Sequence, residues 1–248
     1  MIEFRQVSFS YEASRPVLKD LSFRIREGES VGLIGANGAG KSTVMKVLLG
    51  LAPCVQGEVL VDGLRVGKDT LAEVRRRLGF VLQDPDDQMF MPTVSEDLMF
   101  GPMNYGLSRE EAEKRADEAL ERLGQKELKH RYNHRISGGE KRMAAIAVIL
   151  AMDPAVILMD EPTASLDPCN RRAVIRAIGQ LPQTKIVTSH DLDMILETCD
   201  RVLLLSDGAL AADGPAEEIL RDRELLEAHR LELPLCLAGA PSSVSERV

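Results

Sequence analysis

Eight consecutive residues have the composition of a loop that binds phosphate. They are Gly35, Ala36, Asn37, Gly38, Ala39, Gly40, Lys41 and Ser42, with Thr43 following. The glycines permit backbone conformations that aim successive amides at phosphate oxygens, and a helix beginning here adds its positive end. Lys41 can reach the β and γ phosphates of a nucleotide, and the Ser42 hydroxyl can ligate Mg²⁺. A chance glycine turn before a helix is the alternative, and the complete pattern argues against it.

Two carboxylates, Asp160 and Glu161, close a short apolar run at residues 156–159. Ligands of open α/β sheets bind at the carboxyl ends of strands. Asp160 is suited to hold Mg²⁺ through water, and Glu161 to orient and polarise an attacking water. Acidic residues at a strand end also commonly mark only a turn, so this pair alone does not decide between the two interpretations.

A third element, Ser137-Gly138-Gly139-Glu140, precedes the longest apolar run of the chain, residues 143–152. The glycines can present amides at a helix start, and Ser137 offers a hydroxyl to a phosphate. An ordinary capped helix would have the same composition. The position of the stretch, about twenty residues before Asp160, favours phosphate binding.

These elements need a scaffold that alternates strands and helices. Short apolar runs typical of strands occur at residues 2–7, 30–34, 59–61, 79–82, 156–159, 185–188 and 202–205. Several of them are separated by helical patterns, which favours an α/β sheet with a parallel core. From residue 95 to about 152 no convincing strand pattern appears, and Ser108 with Glu111 has the spacing of a capping box. We therefore predict a helical insertion over about residues 95–152 that forms a smaller lobe.

The bulk composition limits the classes of function. The 248 residues carry 39 acidic and 31 basic side chains, and the net charge of -8 disfavours a broad nucleic-acid-binding surface. No apolar run reaches the roughly eighteen residues that cross a bilayer, and the amino terminus lacks a signal region, so we expect a cytoplasmic chain. The cysteines form no Cys-x-x-Cys pair, which argues against a disulfide framework or a structural zinc site.

Together with the later segments Ser165-Leu166-Asp167 and Thr188-Ser189-His190-Asp191, the series resembles the ATP-binding subunits of ABC transporters over about residues 1–220. The resemblance implies an α/β P-loop NTPase fold of the ABC ATPase type. Such a fold has a RecA-like mixed-sheet core, an antiparallel β edge and a helical subdomain. Residues 221–248 would then form a carboxyl-terminal extension with a loose tail. The implied cofactors are ATP and Mg²⁺.

The resemblance also implies roles for single residues. It implies that Tyr11 stacks on adenine, that Gln83 senses the metal and the water, and that His190 contacts the γ-phosphate. Residues 165–167 would form a turn between subunits, and Ser137–Glu140 would complete the ATP site of a second copy. The implied catalytic residues are Glu161, His190 and Gln83, and the implied Mg²⁺ ligands are Ser42, Gln83 and Asp160.

Two residues depart from the family's signature. The signature usually ends in glutamine where this chain has Glu140, and its preceding leucine is Ile136 here. The leucine-to-isoleucine change is conservative. Because a carboxylate near phosphates is unfavourable, we expect Glu140 to point outward or to pair with Lys141 or Arg142.

Residues 83–90, Gln-Asp-Pro-Asp-Asp-Gln-Met-Phe, resemble a segment of ATPases from energy-coupling-factor importers that meets a coupling helix of a membrane partner. Residues 137–143 and 231–235 look most similar to the cobalt/nickel branch. The resemblance implies an integral membrane coupling subunit, a membrane subunit that binds the substrate, and a peripheral position on the cytoplasmic face of the cell membrane. No nucleic-acid partner is expected. A solvated loop is the alternative for residues 83–90.

The resemblance further implies a homodimer, with two ATPase copies packed head to tail around two ATP molecules. An importer of a vitamin such as biotin, an ordinary ABC importer subunit and a soluble ABC-type ATPase such as an iron-sulfur assembly factor stay open as alternatives. Copurification with an integral membrane protein would distinguish a transport subunit from a soluble ATPase.

Overall fold

Two β-sheets and nine α-helices make up the part of the chain that the structure describes. A computed structural model describes residues 1–12 and 15–238, so the predicted tail from residue 239 onward lies outside the described residues. In chain order the strands are β1 (Ile2–Glu12), β2 (Arg15–Ile25), β3 (Ser30–Ile34), β4 (Gln56–Val61), β5 (Leu64–Arg65), β6 (Leu78–Val81), β7 (Val156–Asp160), β8 (Thr184–Thr188), β9 (Arg201–Ser206) and β10 (Ala209–Pro215). The helices are α1 (Lys41–Leu48), α2 (Leu71–Arg77), α3 (Val94–Asn104), α4 (Arg109–Arg122), α5 (Gly138–Ala151), α6 (Pro168–Gly179), α7 (Leu192–Thr198), α8 (Ala216–Arg221) and α9 (Arg223–Ala228). Within the described ranges, no helix has the length and apolar character needed to span a membrane.

The larger sheet has the strand order β10-β9-β3-β8-β7-β6. Its neighbouring strands are parallel except for β10, which pairs antiparallel with β9 at one edge. Every residue of β3 and of β8 is buried, as expected for parallel strands covered on both faces. The mixed sheet with an antiparallel edge confirms the predicted fold class.

The smaller sheet is antiparallel, with the order β2-β1-β4-β5. Phe4 of β1 stacks on Phe23 of β2 with 4.4 Å between the ring centroids. Residues of this sheet share one apolar cluster with β3 and α1. The sheet therefore packs on the side of the core where the glycine loop begins.

Between the glycine loop and the carboxylate pair, residues 94–151 of the described chain hold three α-helices and no strand. The capping box of Ser108 and Glu111 at the start of α4 is confirmed. The buried face of α4 consists of small and aliphatic side chains, namely Ala112, Ala116, Ala119 and Leu120. These helices supply both the surface around residues 83–90 and the stretch Ser137–Glu140.

Three adjacent strands bring the predicted chemistry to one edge of the sheet. The glycine loop follows β3, the carboxylate pair ends β7, and residues 188–191 follow β8, which lies between the other two. Because these strands are parallel, their carboxyl ends meet at the same edge. The fold thus explains why residues more than a hundred positions apart can share one site.

Candidate active site

The backbone of the glycine loop has conformations and close contacts that disfavour any residue with a side chain at the glycine positions. Gly35, Gly38 and Gly40 have φ angles of 149°, 80° and 111°, in the region that favours glycine. A Cβ atom on Gly35 would also lie 2.3 Å from the carbonyl oxygen of Leu205. Helix α1 then starts without a side-chain cap, so its first amides are free of side-chain acceptors and available to an anion.

Lys41 lies inside the curve of this loop. Its side chain is largely buried, and Nζ donates to the carbonyl oxygens of Gly35 at 2.6 Å and Ala36 at 3.3 Å. Burial lowers the pKa of the Lys41 ammonium, while the negative charges of Glu161 and Asp160 oppose that shift. The ammonium is therefore held where a phosphate cradled by the loop could replace the carbonyl contacts.

Asp160 is the last residue of β7, and Glu161 directly follows the strand. The Thr188 hydroxyl donates to Oδ1 of Asp160 at 2.5 Å, which orients that carboxylate. The amide of Glu161 continues the sheet ladder by donating to the carbonyl oxygen of Thr188 at 3.0 Å, although its φ of 48° is unusual for a residue with a side chain. The chain thus turns sharply at Glu161, and the two adjacent carboxylates lie at the edge of the sheet where the parallel strands end.

Glu161 and His190 are in direct contact. Oε2 of Glu161 accepts from the Ser189 hydroxyl at 3.2 Å and from the His190 amide at 3.1 Å, and its Oε1 lies 3.7 Å from Nε2 of the His190 ring. The Glu161 side chain is only 14% exposed, whereas that of His190 is 50% exposed. The carboxylate is therefore fixed by its neighbours, while the imidazole remains accessible to a ligand.

One cavity of about 420 Å³ joins most of the predicted site residues. It is lined by Val17, Asn37, Gly38, Ala39, Gly40, Lys41, Ser42, Thr43, Gln83, Asp160, Glu161 and His190. The residues predicted to hold a metal ion, Ser42, Gln83 and Asp160, all line this cavity and all have side-chain oxygen atoms. Oxygen ligands suit Mg²⁺, so the residues present fit that ion.

Tyr11 borders a neighbouring cavity of about 430 Å³ that also touches Gly38. Its ring is 61% exposed and meets Phe9 edge-on, with 4.8 Å between the centroids. An exposed ring beside the glycine loop is suited to stack on a flat heterocycle. The stacking role of Tyr11 stays a prediction.

The described lining of the loop cavity contains no residue of the stretch Ser137–Glu140. Gly138 borders an adjacent cleft of about 620 Å³ together with Ser42 and Asp160. A Cβ atom on Gly139 would lie 2.1 Å from the side chain of Asn170 on α6, so close packing already favours glycine there. Within a single copy, the stretch does not complete the loop cavity.

Glu140 makes a contact different from the predicted ones. Its Oε2 accepts from the amide of Ser137 at 2.7 Å, and the Ser137 hydroxyl accepts from the amide of Glu140, which is a capping box. The bond from the Ser137 amide lowers the pKa of the Glu140 carboxyl. Of the two expected arrangements, the pairing with Lys141 or Arg142 is wrong, because those side chains are engaged with other partners.

Those partners are in the segment 82–86. Lys141 pairs with Asp86, and Arg142 donates to the carbonyl oxygens of Leu82 at 2.7 Å and Gln83 at 2.5 Å. Arg142 is almost fully buried and thereby fixes the backbone that carries Gln83. This role of Arg142, and the contacts of Thr188 and Ser189 with the carboxylate pair, were not predicted from the sequence.

The capping box leads to a prediction about stability. We expect Glu140→Ala to lower the free energy of unfolding by about 1 kcal/mol, because the Ser137 amide loses its acceptor. Glu140→Gln keeps an acceptor oxygen and should stay within about 0.3 kcal/mol of the parent. Urea denaturation of both variants measures the difference. Equal losses in the two variants would mean that the charge, and not the cap, stabilises this helix.

Comparisons with known proteins give a consistent result. The sequence profile of the family described as "ABC transporter" matches residues 18–164. The chain is 45% identical over 239 residues to the energy-coupling factor transporter ATP-binding protein EcfA of Methanothermobacter thermautotrophicus, covering 94% of this chain and 77% of that protein.

Solved structures are similar along nearly the whole chain. CbiO1 from Clostridium perfringens, described as part of the ABC transporter complex cbiONQ, has a TM-score of 0.83 at 32% identity, with 94% of this chain and 95% of that one covered. The ATP-binding cassette MJ0796, solved as a dimer in a post-hydrolysis state with ADP and Pi, has a TM-score of 0.77 at 28% identity, with 87% and 99% covered.

Proposed function

The chain belongs to the ABC transporter family of ATP-binding subunits, whose ATP hydrolysis is coupled to transport, and from that premise we propose that it powers an energy-coupling-factor importer for cobalt or nickel ions. The proposal that the chain hydrolyses ATP is supported by one observation. A single cavity is lined by the glycine loop and by Gln83, Asp160, Glu161 and His190. The importer type is supported by the similarity to EcfA and to cbiO1. The choice of cobalt or nickel rests on the sequence resemblance of residues 137–143 and 231–235.

Binding of ATP would use the glycine loop and Lys41. The uncapped amides at the start of α1 donate hydrogen bonds to phosphate oxygens, and Lys41 exchanges its contacts with Gly35 and Ala36 for the β and γ phosphates. Tyr11 stacks on the adenine from the neighbouring cavity. The negatively charged end of the nucleotide thus lies beside the carboxylate pair.

Hydrolysis would depend on Glu161. Its carboxylate, held by Ser189 and the amide of His190, orients and polarises a water for attack on the γ-phosphorus. Ser42, Gln83 and Asp160 would hold Mg²⁺, which when bound neutralises charge on the phosphates. The exposed ring of His190 contacts the γ-phosphate from the side of Glu161.

A second copy would complete each site. In the proposed dimer, Ser137–Glu140 of one copy faces the glycine loop of the other, with ATP between them. No residue of this stretch is in the described lining of the loop cavity of its own chain, which supports the arrangement, as does the dimeric state of MJ0796. Since ATP binds the closed pair better than the open pair, it shifts the population toward closure, and hydrolysis removes the contacts that hold it closed.

The membrane partner would sit on the helical region. A groove of about 490 Å³ lies between α3 and α4, with Met99, Phe100 and Met103 on its lining. Phe90, which is 63% exposed, packs edge-on against Phe100 with 4.9 Å between the centroids. An exposed aromatic pair beside a groove lined by both apolar and charged side chains suits an amphipathic helix of a membrane subunit. The chain would then be peripheral on the cytoplasmic face of the membrane.

Phe100→Asp tests this contact. We expect the amount of membrane subunit that copurifies with the variant to fall at least about tenfold, because an added charge at this contact must be desolvated on binding. ATP hydrolysis by the isolated chain should stay within about twofold. Val55→Asp is the matched control, since Val55 is also an exposed hydrophobic residue, at 72%, but lies between α1 and β4. Equal copurification of both variants would place the partner on another surface.

Cargo requires a separate experiment. The complex is extracted from its native membrane and its subunits are identified, and uptake of labelled Co²⁺, Ni²⁺ and biotin is compared in cells with and without this chain. Loss of cobalt or nickel uptake supports the proposal. Loss of biotin uptake alone would assign the chain to a vitamin importer, and extraction without any integral membrane protein would contradict a transport role.

A further inference from the structure

Arg171 and Asp191 form a two-point ion pair beside the active site. Nε of Arg171 donates to Oδ2 of Asp191 at 2.5 Å, and Nη2 donates to Oδ1 at 2.6 Å. The side chains are only 28% and 20% exposed. Paired bonds of this type fix both distance and orientation, which a single contact between flexible side chains does not.

Asp191 connects several parts of the site. It directly follows His190, it caps α7 by accepting from the amide of Met194 at 3.1 Å, and it accepts from the Thr163 hydroxyl at 3.2 Å. Its own amide donates at 3.0 Å to the Ser189 hydroxyl, which in turn donates to Glu161. The contacts of Asp191 therefore connect the segment that carries His190 to α6, to α7 and to the turn that follows Glu161.

The charge of Asp191 depends on its partners. Burial alone would raise the pKa of this carboxyl, but the bonds from Arg171, Met194 and Thr163 leave the pKa below its ordinary value. Removing Arg171 would leave a half-buried carboxylate without its cation, and the segment would be free to rearrange toward water.

We propose that Arg171 is a positioning residue for ATP hydrolysis, which holds Asp191 and thereby sets the place of the His190 ring relative to Glu161. The inference rests on the role proposed above for His190. Arg171 itself does not line the cavity around the glycine loop. We therefore expect its effect on turnover to pass through Asp191, which Arg171 contacts and which is the chain neighbour of His190.

The chain contains a matched control for this residue. Arg172 pairs with Glu197, so it also connects α6 to α7. That pair is more exposed, at 43% and 42%, and Glu197 lies six positions beyond Asp191. If the two helices needed only an ion pair between them, both arginines would matter equally.

The test compares steady-state ATP hydrolysis by the parent, Arg171→Ala, Arg171→Lys, Arg172→Ala, His190→Ala and the double variant Arg171→Ala/His190→Ala. Rates are divided by the amount of bound nucleotide, so that misfolded protein, which binds none, does not lower the measured kcat. We expect Arg171→Ala to lower kcat about tenfold with KM within threefold. Arg171→Lys, which cannot make both bonds at once, should lower kcat about threefold. Arg172→Ala should stay within twofold.

The double variant separates positioning from general stability. If Arg171 acts through His190, the double variant hydrolyses ATP no more slowly than His190→Ala alone. A further tenfold loss in the double variant, or equal kcat values for Arg171→Ala and Arg172→Ala, would overturn the inference. Parental turnover by His190→Ala would instead overturn the proposed role of the histidine, on which the inference rests.

Discussion

Replacing Glu161 by glutamine is expected to leave ATP bound and to lower its turnover by at least about a hundredfold. The Glu161 carboxylate accepts from the Ser189 hydroxyl and the His190 amide, and a glutamine oxygen can accept both bonds. The side chain therefore keeps its place but loses the charge that a general base needs. In the dimer proposed above, uncleaved ATP would keep the two copies closed, so we expect the variant to accumulate as a dimer. Single-turnover hydrolysis and light scattering with and without ATP measure the two effects.

Glu140→Gln supplies the control for this change. It makes the same carboxylate-to-amide replacement at the start of α5, where the carboxylate accepts from Ser137 and forms a helix cap. Its turnover should stay within about threefold of the parent. Its dimer fraction, with and without ATP, should equal that of the parent. Parental turnover by Glu161→Gln would remove the general-base assignment. A fully ATP-loaded Glu161→Gln protein that stays monomeric would contradict a site shared between copies.

The main parts of the site could be predicted from the sequence because the residues that form it directly follow buried strands in the chain. β3 and β8 are buried at every position, and each leads within a few residues to the glycine loop or to His190. Such apolar runs can be recognised from a short stretch of sequence. The order of the strands cannot be recognised in this way, because β8 pairs with both β3 and β7 and so joins residues far apart in the chain.

Strand β2 was missed for a local reason. Val7 pairs with Leu21 and Phe9 with Leu18, so the register shifts between these pairs, and Asp20 has a φ of 49°. This irregularity breaks the alternation of apolar and polar residues by which a half-buried strand is recognised. Strand β10 was missed because its sequence, Ala-Leu-Ala-Ala-Asp-Gly-Pro, contains none of the β-branched or aromatic residues that favour strands.

The contact of Glu140 could have been predicted, whereas that of Lys141 could not. Ser137 and Glu140 have the same spacing as Ser108 and Glu111, which was recognised as a capping box. Lys141 pairs with Asp86, 55 positions earlier, and only the folded chain brings these residues together. The same holds for Arg171, whose partner Asp191 begins another helix.

Replacing Lys41 by methionine is expected to weaken ATP binding by at least about a hundredfold, a loss of about 3 kcal/mol. The Lys41 ammonium is buried inside the glycine loop, and nothing else in the described lining of the loop cavity is a lysine or arginine. Methionine nearly keeps the volume of the side chain but cannot donate to the β and γ phosphates. Equilibrium binding of a fluorescent ATP analogue, with circular dichroism to verify folding, measures the loss.

Lys185 makes this prediction specific to the phosphate site. It lies on β8 of the same sheet, is as deeply buried as Lys41, and donates from Nζ to the carbonyl oxygen of Leu181 at 2.6 Å. Burial lowers the pKa of Lys185 as it does that of Lys41. Lys185→Met therefore removes an equally buried ammonium and should bind the analogue within about threefold of the parent. Equal weakening in the two variants would mean that loss of a buried charge disturbs the sheet, and the contact between Lys41 and phosphate would lose its support.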